Sequence, residues 1–445
     1  MSKPDSSKSF TRRDFLQTAG VAATGIAVSS SMAMAAQSED QPKSALPPPI
    51  ARLKSRRSEA SPISTAEREQ RLERARRLMA ENKLDAIMLT GGTSLIYFTN
   101  IRWFMSERLF AMVLPVKGAP FYVCPAFEED RAREQIAGGP GGANPEIRLW
   151  QEDESPYQRI AEGLKDRGIA SGTVGMEETV RFVFSGGVGK VAPALKAVSA
   201  TPVTAGCRMI KSKHELQLMT LANQVTVAAY EAAYRSLKEG MTQHDFASLV
   251  EAAHSQLGFR GSAGVQVGEN SALPHGSAKP QVVREGTILL IDGGCTVEGY
   301  ESDISRTFVL GKAPEQTKDK MKKVFDIVHR AQQAALATAR PGVQCQNVDA
   351  AARKVITDAG YGPDYKHFTH RVGHGIGMDG HEWPYLVRGN TLPLAANMTF
   401  SDEPGIYIRG EFGVRLEDDM HITEDGAELF TPQSPSLEEP FGKER

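Results

Sequence analysis

Short apolar runs alternate with amphipathic segments through the first half of the chain. The segment TAEREQRLERARRLMAENKL has the apolar spacing of an amphipathic helix, with Thr65 as its cap. Strand-like runs follow it in the order DAIMLT, SLIYFTN, LFAMVLPV, PFYVCPAF and TVGMEE. Strands mixed with helical segments predict an α/β domain over residues 65–205.

A different pattern occupies residues 210–430. CRMIKSKHELQLM begins a long helix, and further amphipathic segments are separated by apolar runs. We predict helices at 213–238, 243–257, 314–339 and 346–359, and strands at 262–267, 286–292, 302–310, 398–408 and 413–423. Helices set against a mostly antiparallel sheet make this half α+β, and residues 431–445 are expected to form a tail.

The first 64 residues fit neither pattern. RRDFL at 12–16 precedes a mildly apolar, Ala-rich stretch, and small residues at 33–35 offer a cleavage site. Residues 1–35 therefore indicate a twin-arginine signal peptide, the alternative being a disordered tail with a chance arginine pair. We expect export by the twin-arginine machinery to the periplasm or an equivalent compartment, without a permanent membrane anchor. The Pro-, Ser- and Arg-rich residues 36–64 indicate a linker.

The composition limits the number of domains and the class of protein. A chain of 445 residues is long enough for two domains, and its apolar (40%), aromatic (7%) and charged (24%) fractions are those of a soluble globular protein. The net charge of −2 gives no indication of nucleic acid or an anionic membrane as a partner. The four cysteines lie far apart without a CxxC pair, so we expect core cysteines rather than a zinc ribbon or a disulfide framework.

Two carboxylates stand beside runs that have the character of buried strands. Asp292 follows the apolar run ILLI, and Asp303 shortly precedes the apolar run TFVL. Burying an unpaired carboxylate is very costly, so the chain must supply partners for both.

Candidate partners lie further along the chain. Glu403 follows a strand-like run, and GVRLEDD places Arg415 and Glu417 on one face of another strand. Histidines are concentrated in HFTHRVGHGIGMDGHEWP at positions 367, 370, 374 and 381. Carboxylates gathered without a cation would raise each other's pKa, and two divalent metals would remove that conflict. An oxygen-rich ligand set with one imidazole suits manganese, cobalt or iron better than copper.

These motifs carry a family resemblance. From about residue 65 to 430 the chain resembles the pita-bread metallopeptidases, the family of aminopeptidase P, prolidase and methionine aminopeptidase. The matching motifs are D-x-G…GY-x-SD-x-x-RT, GHGIGMDGHE, EPGIY and GVRLEDD. The resemblance implies a curved antiparallel sheet with covering helices, preceded by a smaller α/β creatinase-like domain. It also implies a dinuclear metal site, for manganese first and cobalt, iron or zinc as alternatives, held by Asp292, Asp303, His374, Glu403 and Glu417.

The other histidines resemble those of the proline-specific branch. His275 lies in NSALPHG, and His370, His374 and His381 reproduce the H-x3-H-x6-H arrangement of that branch. The methionine aminopeptidase branch typically lacks this pattern together with a large N-terminal domain. Each accessory histidine has a structural role as its alternative, and we expect His367 to be structural or exposed.

The resemblance implies a reaction and roles within it. The enzyme would remove the N-terminal residue from Xaa-Pro peptides, as an aminopeptidase or a dipeptidase, through a hydroxide that bridges the metals. Glu403 would bind metal and relay the proton of that water, with His370 nearby on the route to the proline nitrogen. His381 or His275 would donate a hydrogen bond to the oxyanion. Arg415 would orient the metal carboxylates, the alternative being a routine surface ion pair.

The N-terminal domain of that family typically helps to form oligomers and closes one end of the substrate channel. We therefore expect a homodimer or a higher homo-oligomer. In IRWFMSERLF, Trp103 and Phe104 are candidates for the wall of a proline-sized pocket, with burial in the core as the alternative.

Other functions on the same scaffold stay open. A metal-free amidinohydrolase should have lost metal ligands, and a dimethylsulfoniopropionate lyase should be altered around Asp292, whereas DGG is ordinary here. A hydrolase for a non-peptide amide would have an identical metal site. A non-enzymatic binding module is the remaining class, and the intact ligand set argues against it.

Overall fold

The computed structural model describes residues 45–141 and 144–443, and those from Pro48 onward form one compact unit. The predicted signal peptide and its cleavage site lie outside the described residues. Within the described ranges, no helix has both the length and the apolar character needed to cross a membrane.

The first half of this unit is a mixed sheet with helices on both faces. The strand order is β4-β3-β2-β1-β5-β6; β2 runs antiparallel to both its neighbours, and the other neighbouring pairs are parallel. Alternate residues of β1 pack into separate apolar clusters on the two faces, which is what a sheet covered on both sides requires. The elements are α1 (Pro48–Ala51), α2 (Thr65–Glu81), β1 (Ala86–Thr90), α3 (Thr93–Thr99), β2 (Ala111–Pro115), β3 (Phe121–Pro125), α4 (Glu129–Ile136), β4 (Glu146–Trp150), α5 (Pro156–Lys165), β5 (Gly172–Met176), α6 (Phe182–Val191), β6 (Leu195–Ser199) and α7 (Thr201–Arg208).

One element type and one helix cap in the first half differ from the sequence prediction. SLIYFTN was predicted as a strand, but it forms α3, which ends at Asn100 in the left-handed conformation typical of a helix cap. Its buried side chains include Leu95, Phe98 and Thr99, a helical spacing that a short apolar run conceals. Helix α2 is capped by Ser64 rather than Thr65, in a reciprocal capping box with Glu67.

The second half combines antiparallel sheets with four long helices, which confirms its prediction as α+β. The sheets have the strand orders β10-β8-β7, with β9 paired to β8, β12-β11-β13-β16-β17 and β14-β15. The elements are α8 (Lys213–Tyr234), α9 (Gln243–Gln256), β7 (Arg260–Val267), β8 (Ile288–Val297), β9 (Tyr300–Glu301), β10 (Ile304–Val309), α10 (Glu315–Thr338), α11 (Cys345–Ile356), β11 (Gly373–Gly375), β12 (Glu382–Leu386), β13 (Thr399–Asp402), β14 (Gly405–Ile408), β15 (Phe412–Arg415), β16 (Asp418–Ile422) and β17 (Ala427–Leu429).

Two long predicted strands are each interrupted in the structure. The run 398–408 divides into β13 and β14 around Glu403 and Pro404, and the run 413–423 divides into β15 and β16 around Leu416 and Glu417. Proline has no backbone N–H to donate to a sheet, which accounts for the first interruption. Each interruption places a glutamate between two strands instead of within one.

The described parts of the predicted linker and tail are packed. Ile50 and Ile63 are buried in the apolar cluster that α8 and α9 also line, and the N–H of Arg56 donates to the carbonyl of Leu257 at 2.9 Å. In the predicted tail, Leu437 is 2% exposed and belongs to a core cluster of the second half. The described parts of the predicted linker and tail, from Pro48 onward, therefore pack closely against the rest of the chain.

Buried ion pairs join the two halves. Arg71 of α2 donates to Glu215 of α8 at 3.1 Å and to the hydroxyl of Tyr300 at 2.7 Å. Arg208 of α7 donates to Glu382 of β12, which also accepts from Lys211 at 2.7 Å. Since Glu382 follows His381 directly, the second ion pair fixes the backbone beside a predicted site residue.

Candidate metal centre

The first two predicted ligands come from a pair of neighbouring antiparallel strands. Asp292 lies in β8 opposite Ser305 of β10, and Asp303 directly precedes β10. The glycine after Gly293 is needed for a close approach, because a Cβ on Gly294 would lie 1.7 Å from the carbonyl oxygen of Ser302. The motif DGG therefore lets the strand that carries the first aspartate pass very close to the backbone of Ser302.

The other three predicted ligands come from the five-stranded sheet. His374 lies in β11, which pairs with β13, and Glu403 follows the last residue of β13. Glu417 directly precedes β16, the other neighbour of β13. The two sheets thus bring residues far apart in sequence to one place.

The five predicted ligands converge in the structure. His374 Nε2 lies 3.3 Å from Glu403 Oε1 and 3.9 Å from Asp303 Oδ2. Asp292, Asp303 and Glu417 form one group whose candidate ligand atoms all lie within 4.8 Å of one another, and His374, Glu403 and Glu417 form a second. Asp303, His374 and His381 form a third such group, and because the groups share members, these side chains form one connected cluster of candidate cation ligands.

The carboxylates shift one another's pKa. Burial, and then the charges of Asp292 and Asp419, raise the pKa of Asp303 well above its usual range. Burial and the charge of Asp303 likewise raise the pKa of Glu417 well above its usual range. Burial would also raise the pKa of Glu403, but the hydrogen bond with His374 and the electrostatic effect of the neighbouring His370 lower it to about 2. Such a cluster is relieved by divalent cations, and its oxygen-rich donor set with one imidazole fits them.

Arg415 is held against the cluster by several contacts. Its Nη2 donates to Asp292 Oδ2 at 2.5 Å, and its Nε donates to the hydroxyl of Ser305 at 2.9 Å. That hydroxyl lies 2.9 Å from Asp292 Oδ1 and 2.6 Å from Glu417 Oε2. Arg415 is 4% exposed. Arg415 is therefore a buried neighbour of the predicted ligands, and its orienting role stays a prediction.

A chain of hydrogen bonds connects Arg415 to a predicted catalytic histidine. Arg415 Nη1 lies 3.0 Å from the hydroxyl of Tyr407, which lies 2.7 Å from His370 Nε2. His370 Nδ1 lies 2.8 Å from the carbonyl oxygen of Arg371, so Nδ1 carries the proton and Nε2 accepts from Tyr407. Burial lowers the pKa of His370, in keeping with a neutral ring.

The remaining histidines occupy different positions. The His381 ring stacks on His374 with 3.7 Å between centroids, and burial followed by the charge of His374 lowers its pKa to about 4. His275 lines the same cavity. His367 lies outside that lining, and its Nδ1 contacts the carbonyl oxygen of Tyr407 at 3.2 Å, as a structural residue would.

A cavity of about 500 Å³ opens onto the cluster. Its apolar side chains are those of Pro274, Tyr365 and Val387. The complete lining is Pro274, His275, Asp292, Asp303, Tyr365, His370, Arg371, His374, His381, Val387, Glu403, Arg415 and Glu417. All predicted metal-ligating and catalytic residues are therefore in one cavity.

Sequence reasoning missed several polar residues of this site. Tyr407 and Ser305 make the contacts described above, Asp419 accepts from the N–H of Asp303 at 3.0 Å, and Arg371 lies in the cavity wall. Tyr407 stands inside the quoted motif EPGIY, and Ser305 occupies one of the unspecified positions of SD-x-x-RT. Their places in these motifs marked them as possible site residues, but only the strand pairings show which side chains they contact.

The candidate pocket wall from the N-terminal half is not in this cavity. Trp103 is 6% exposed and stacks on Phe110 with 4.0 Å between centroids, as a core residue does. Phe104 is 59% exposed, and neither residue is among those that line the cavity in the described chain.

Metal removal should destabilise the protein more strongly as pH rises. Burial raises the pKa of Asp303 and Glu417 in the folded chain, and it raises the pKa of Asp419 to about 7. The metal-free fold therefore loses stability as pH rises through these pKa values, because the carboxyl groups must ionise while they are buried. Each bound ion, when its free concentration is 100 times its Kd, adds about 2.7 kcal/mol to the free energy of unfolding. The gap in Tm between manganese-loaded and chelator-stripped protein should therefore widen from pH 5.5 to pH 8. A gap that stays constant over this range would contradict a carboxylate-held metal centre.

Family models match both halves of the chain. A model described as "Creatinase/Prolidase N-terminal domain" matches residues 71–210, and one described as "Metallopeptidase family M24" matches residues 217–424. A Xaa-Pro dipeptidase of Lactobacillus delbrueckii subsp. lactis is 32% identical over 82% of this chain and 98% of its own length.

Solved structures give the same result. The dipeptidase PepE of Mycobacterium ulcerans has a TM-score of 0.78 and 32% identity, covering 85% of this chain and 99% of that one. A Xaa-Pro dipeptidase from Bacillus anthracis has a TM-score of 0.71 and 28% identity, covering 83% of this chain and 99% of that one.

Proposed function

Because the chain belongs to metallopeptidase family M24, we propose that it is a dinuclear-metal hydrolase that removes the N-terminal residue from Xaa-Pro peptides. The membership also confirms the predicted fold class, a creatinase-like N-terminal domain before a pita-bread catalytic domain. The observation that carries the proposal is the convergence of five ligand-type side chains in one cavity with three further histidines. The names of the relatives as Xaa-Pro dipeptidases support the choice of substrate.

Two divalent ions, when bound, would supply a Lewis acid for the scissile carbonyl and would lower the pKa of the attacking water. Manganese is our first choice, with cobalt, iron or zinc as alternatives. The residues that would hold the ions are Asp292, Asp303, His374, Glu403 and Glu417.

The proton route in this proposal runs through Glu403. Its carboxylate stays ionised across the neutral range, since its pKa is about 2, and it faces the cavity beside His374. Glu403 accepts a proton from the attacking water and passes it towards the prolyl nitrogen. His370 Nδ1 lies 3.7 Å from Glu403 Oε2, so this histidine is a neighbour of the proposed route.

The carbonyl oxygen of the substrate needs a hydrogen-bond donor as negative charge develops on it. His381 stacks on His374 and is neutral at pH 7, so its ring N–H can donate; His275 is the other candidate in the lining. Arg415 keeps Asp292 in place through its hydrogen bond. Pro274, Tyr365 and Val387 offer an apolar surface to a prolyl ring.

The proposal is tested with manganese-loaded protein, Ala-Pro and Ala-Pro-Ala, with alanine release as the readout. We expect release from at least one of these substrates, and Glu403→Ala as a control should release none. If neither substrate released alanine while two metals were bound per chain, the proposal would be overturned. That result would favour another amide hydrolase, or a dimethylsulfoniopropionate-lyase-like enzyme, on the same scaffold.

We also propose export through the twin-arginine route and a homo-oligomeric state. The first rests on RRDFL and the small residues at 33–35, and the second on the family resemblance. Cell fractionation and light scattering test them; a cytoplasmic full-length product or a monomer would contradict the respective proposal.

A further inference from the structure

The histidine loop, residues 376–381 between β11 and β12, ends at the proposed hydrogen-bond donor His381. We infer that the N-terminal half positions His381 for catalysis, through hydrogen bonds from Thr93 and Arg208 to Asp379. This role deepens the proposed function, on which it rests, by naming residues that position one of its catalytic groups. In the described chain, none of these three positioning residues lines the metal cavity.

The sequence of the histidine loop leaves its backbone free to adopt several conformations. Gly377 and Gly380 have no side chain to restrict their backbone angles. A side chain at the first of these positions has no room, because a Cβ on Gly377 would lie 2.5 Å from Glu382 Oε1 and 2.8 Å from Lys211 Cε. A loop of this composition keeps one conformation when neighbouring segments hold it.

The N-terminal half holds the histidine loop at Asp379. Thr93, the first residue of α3, donates from its hydroxyl to Asp379 Oδ1 at 2.5 Å, and Arg208 at the end of α7 donates to Oδ2. Within the described ranges these are the side-chain donors to the Asp379 carboxylate, and both belong to the N-terminal half. Met378 precedes Asp379 and packs against the apolar cluster of the same half. Both carboxylate oxygens of the loop are thus anchored outside the catalytic half.

One guanidinium holds the chain on both sides of His381. Arg208 Nη2 donates to Asp379, two residues before the histidine, and to Glu382, directly after it. Glu382 is 7% exposed and also accepts from Lys211 at 2.7 Å. Charge-assisted hydrogen bonds are about twice as strong as neutral ones, and a buried setting strengthens them further. The backbone of His381 therefore lies between two anchored carboxylates.

Accurate placement of His381 is what the anchored loop contributes. The His381 ring is exposed, stacks on His374 and lies with its Nδ1 3.3 Å from Arg371 Nη2. A donor stabilises an oxyanion when it lies about 2.7–3.1 Å from that oxygen. A displacement of about 1 Å, even from a change far from the chemistry, can cost about 10²-fold in rate.

Thr93→Val tests this role, because it removes the hydroxyl and keeps the shape of the side chain. We expect kcat for the cleaved Xaa-Pro substrate to fall by about 10-fold, because His381 is displaced from the oxyanion. The KM should stay within about twofold, since the interaction that is lost acts in the transition state. Thr93→Ser keeps the hydroxyl and should recover most of the activity.

Thr65→Val is the matched control. Thr65 is likewise the first residue of a helix in the N-terminal half, and its hydroxyl donates to the carbonyl oxygen of Gly138 at 3.1 Å, within the same half. Its loss should leave kcat unchanged. Equal kcat values for Thr93→Val and Thr93→Ser would overturn the inference.

A double variant distinguishes positioning of His381 from a general loss of stability. If Thr93 acts through His381, Thr93→Val should change kcat by less than about twofold once His381→Ala has removed the imidazole. Additive losses in kcat from the two changes would contradict the inference.

Amide hydrogen exchange of residues 376–382 separates this inference from the proposed function. In manganese-loaded protein, Thr93→Val should exchange these amides faster than the unmutated protein and faster than Thr65→Val. If the protein cleaves no Xaa-Pro peptide, the proposed function fails, while exchange still decides whether the N-terminal half holds the histidine loop. Unchanged exchange in Thr93→Val would overturn the inference whatever the activity.

Discussion

Replacing Glu403 by glutamine should lower kcat/KM for an Xaa-Pro substrate by about 10³-fold or more. The substitution removes the carboxylate that accepts the proton of the attacking water, a role worth about 10²–10⁴-fold, and weakens a predicted metal shell as well. Rates should be measured alongside metal content per chain, since excess manganese restores occupancy but not the proton acceptor. Retention of more than about a tenth of the activity at full occupancy would exclude Glu403 as the proton carrier.

Asp402→Asn is the matched control, because it changes the neighbouring carboxyl group in the same chemical way. Asp402 is 0% exposed, and burial together with the charge of Asp418 raises its pKa well above the usual range. It does not line the cavity, and within the described residues neither of its carboxyl oxygens accepts a hydrogen bond. We expect near-normal kinetics. If Asp402→Asn lowered kcat/KM as much as Glu403→Gln, the loss of activity in both variants would be due to disturbance of β13 and not to loss of a proton acceptor.

Replacing Arg306 by methionine should destabilise the fold by about 3–5 kcal/mol, the cost of breaking a buried ion pair from one side. Arg306 is 1% exposed, and its guanidinium donates to Asp418 Oδ1 at 2.6 Å and to the carbonyl oxygen of Glu417 at 2.8 Å. Its loss leaves the carboxylate of Asp418 buried without its cation. Urea unfolding at a fixed metal content gives the free energy of unfolding directly.

A double variant separates the ion pair from the volume of the side chain. Arg306→Met combined with Asp418→Asn removes both charges, so it should regain a large part of the stability that Arg306→Met loses. Additive losses from the two changes would show that packing, and not the buried charge, accounts for the effect.

Much of the site could be predicted from the sequence because its residues stand in local patterns. Asp292 after ILLI, and Glu403 and Glu417 beside apolar runs, signal carboxylates that need a cation, and the structure brings them together. Their metal-binding and catalytic roles remain predictions. The domain boundaries at 65–205 and 210–430 likewise stay predictions.

What the sequence could not supply depends on contacts between distant segments. Tyr407 and Ser305 are ordinary strand residues until the pairing of β14 with β15 and of β8 with β10 sets them beside Arg415 and Asp292. The helix α3 was predicted as a strand because its apolar run is too short to show a period. The strands β4 and β6 were missed because charged and exposed residues interrupt their apolar character.

The order of the ligands along the chain has a consequence for biosynthesis. Among the five predicted ligands the ribosome delivers Asp292 first and Glu417 last, and β1 to β6 of the N-terminal sheet are all translated before either. The N-terminal half can therefore fold on the nascent chain, as domains generally do during synthesis. The carboxylate cluster has its full set of donors only when β16 emerges. Any metal that needs all five side chains must then be acquired near the end of translation or afterwards.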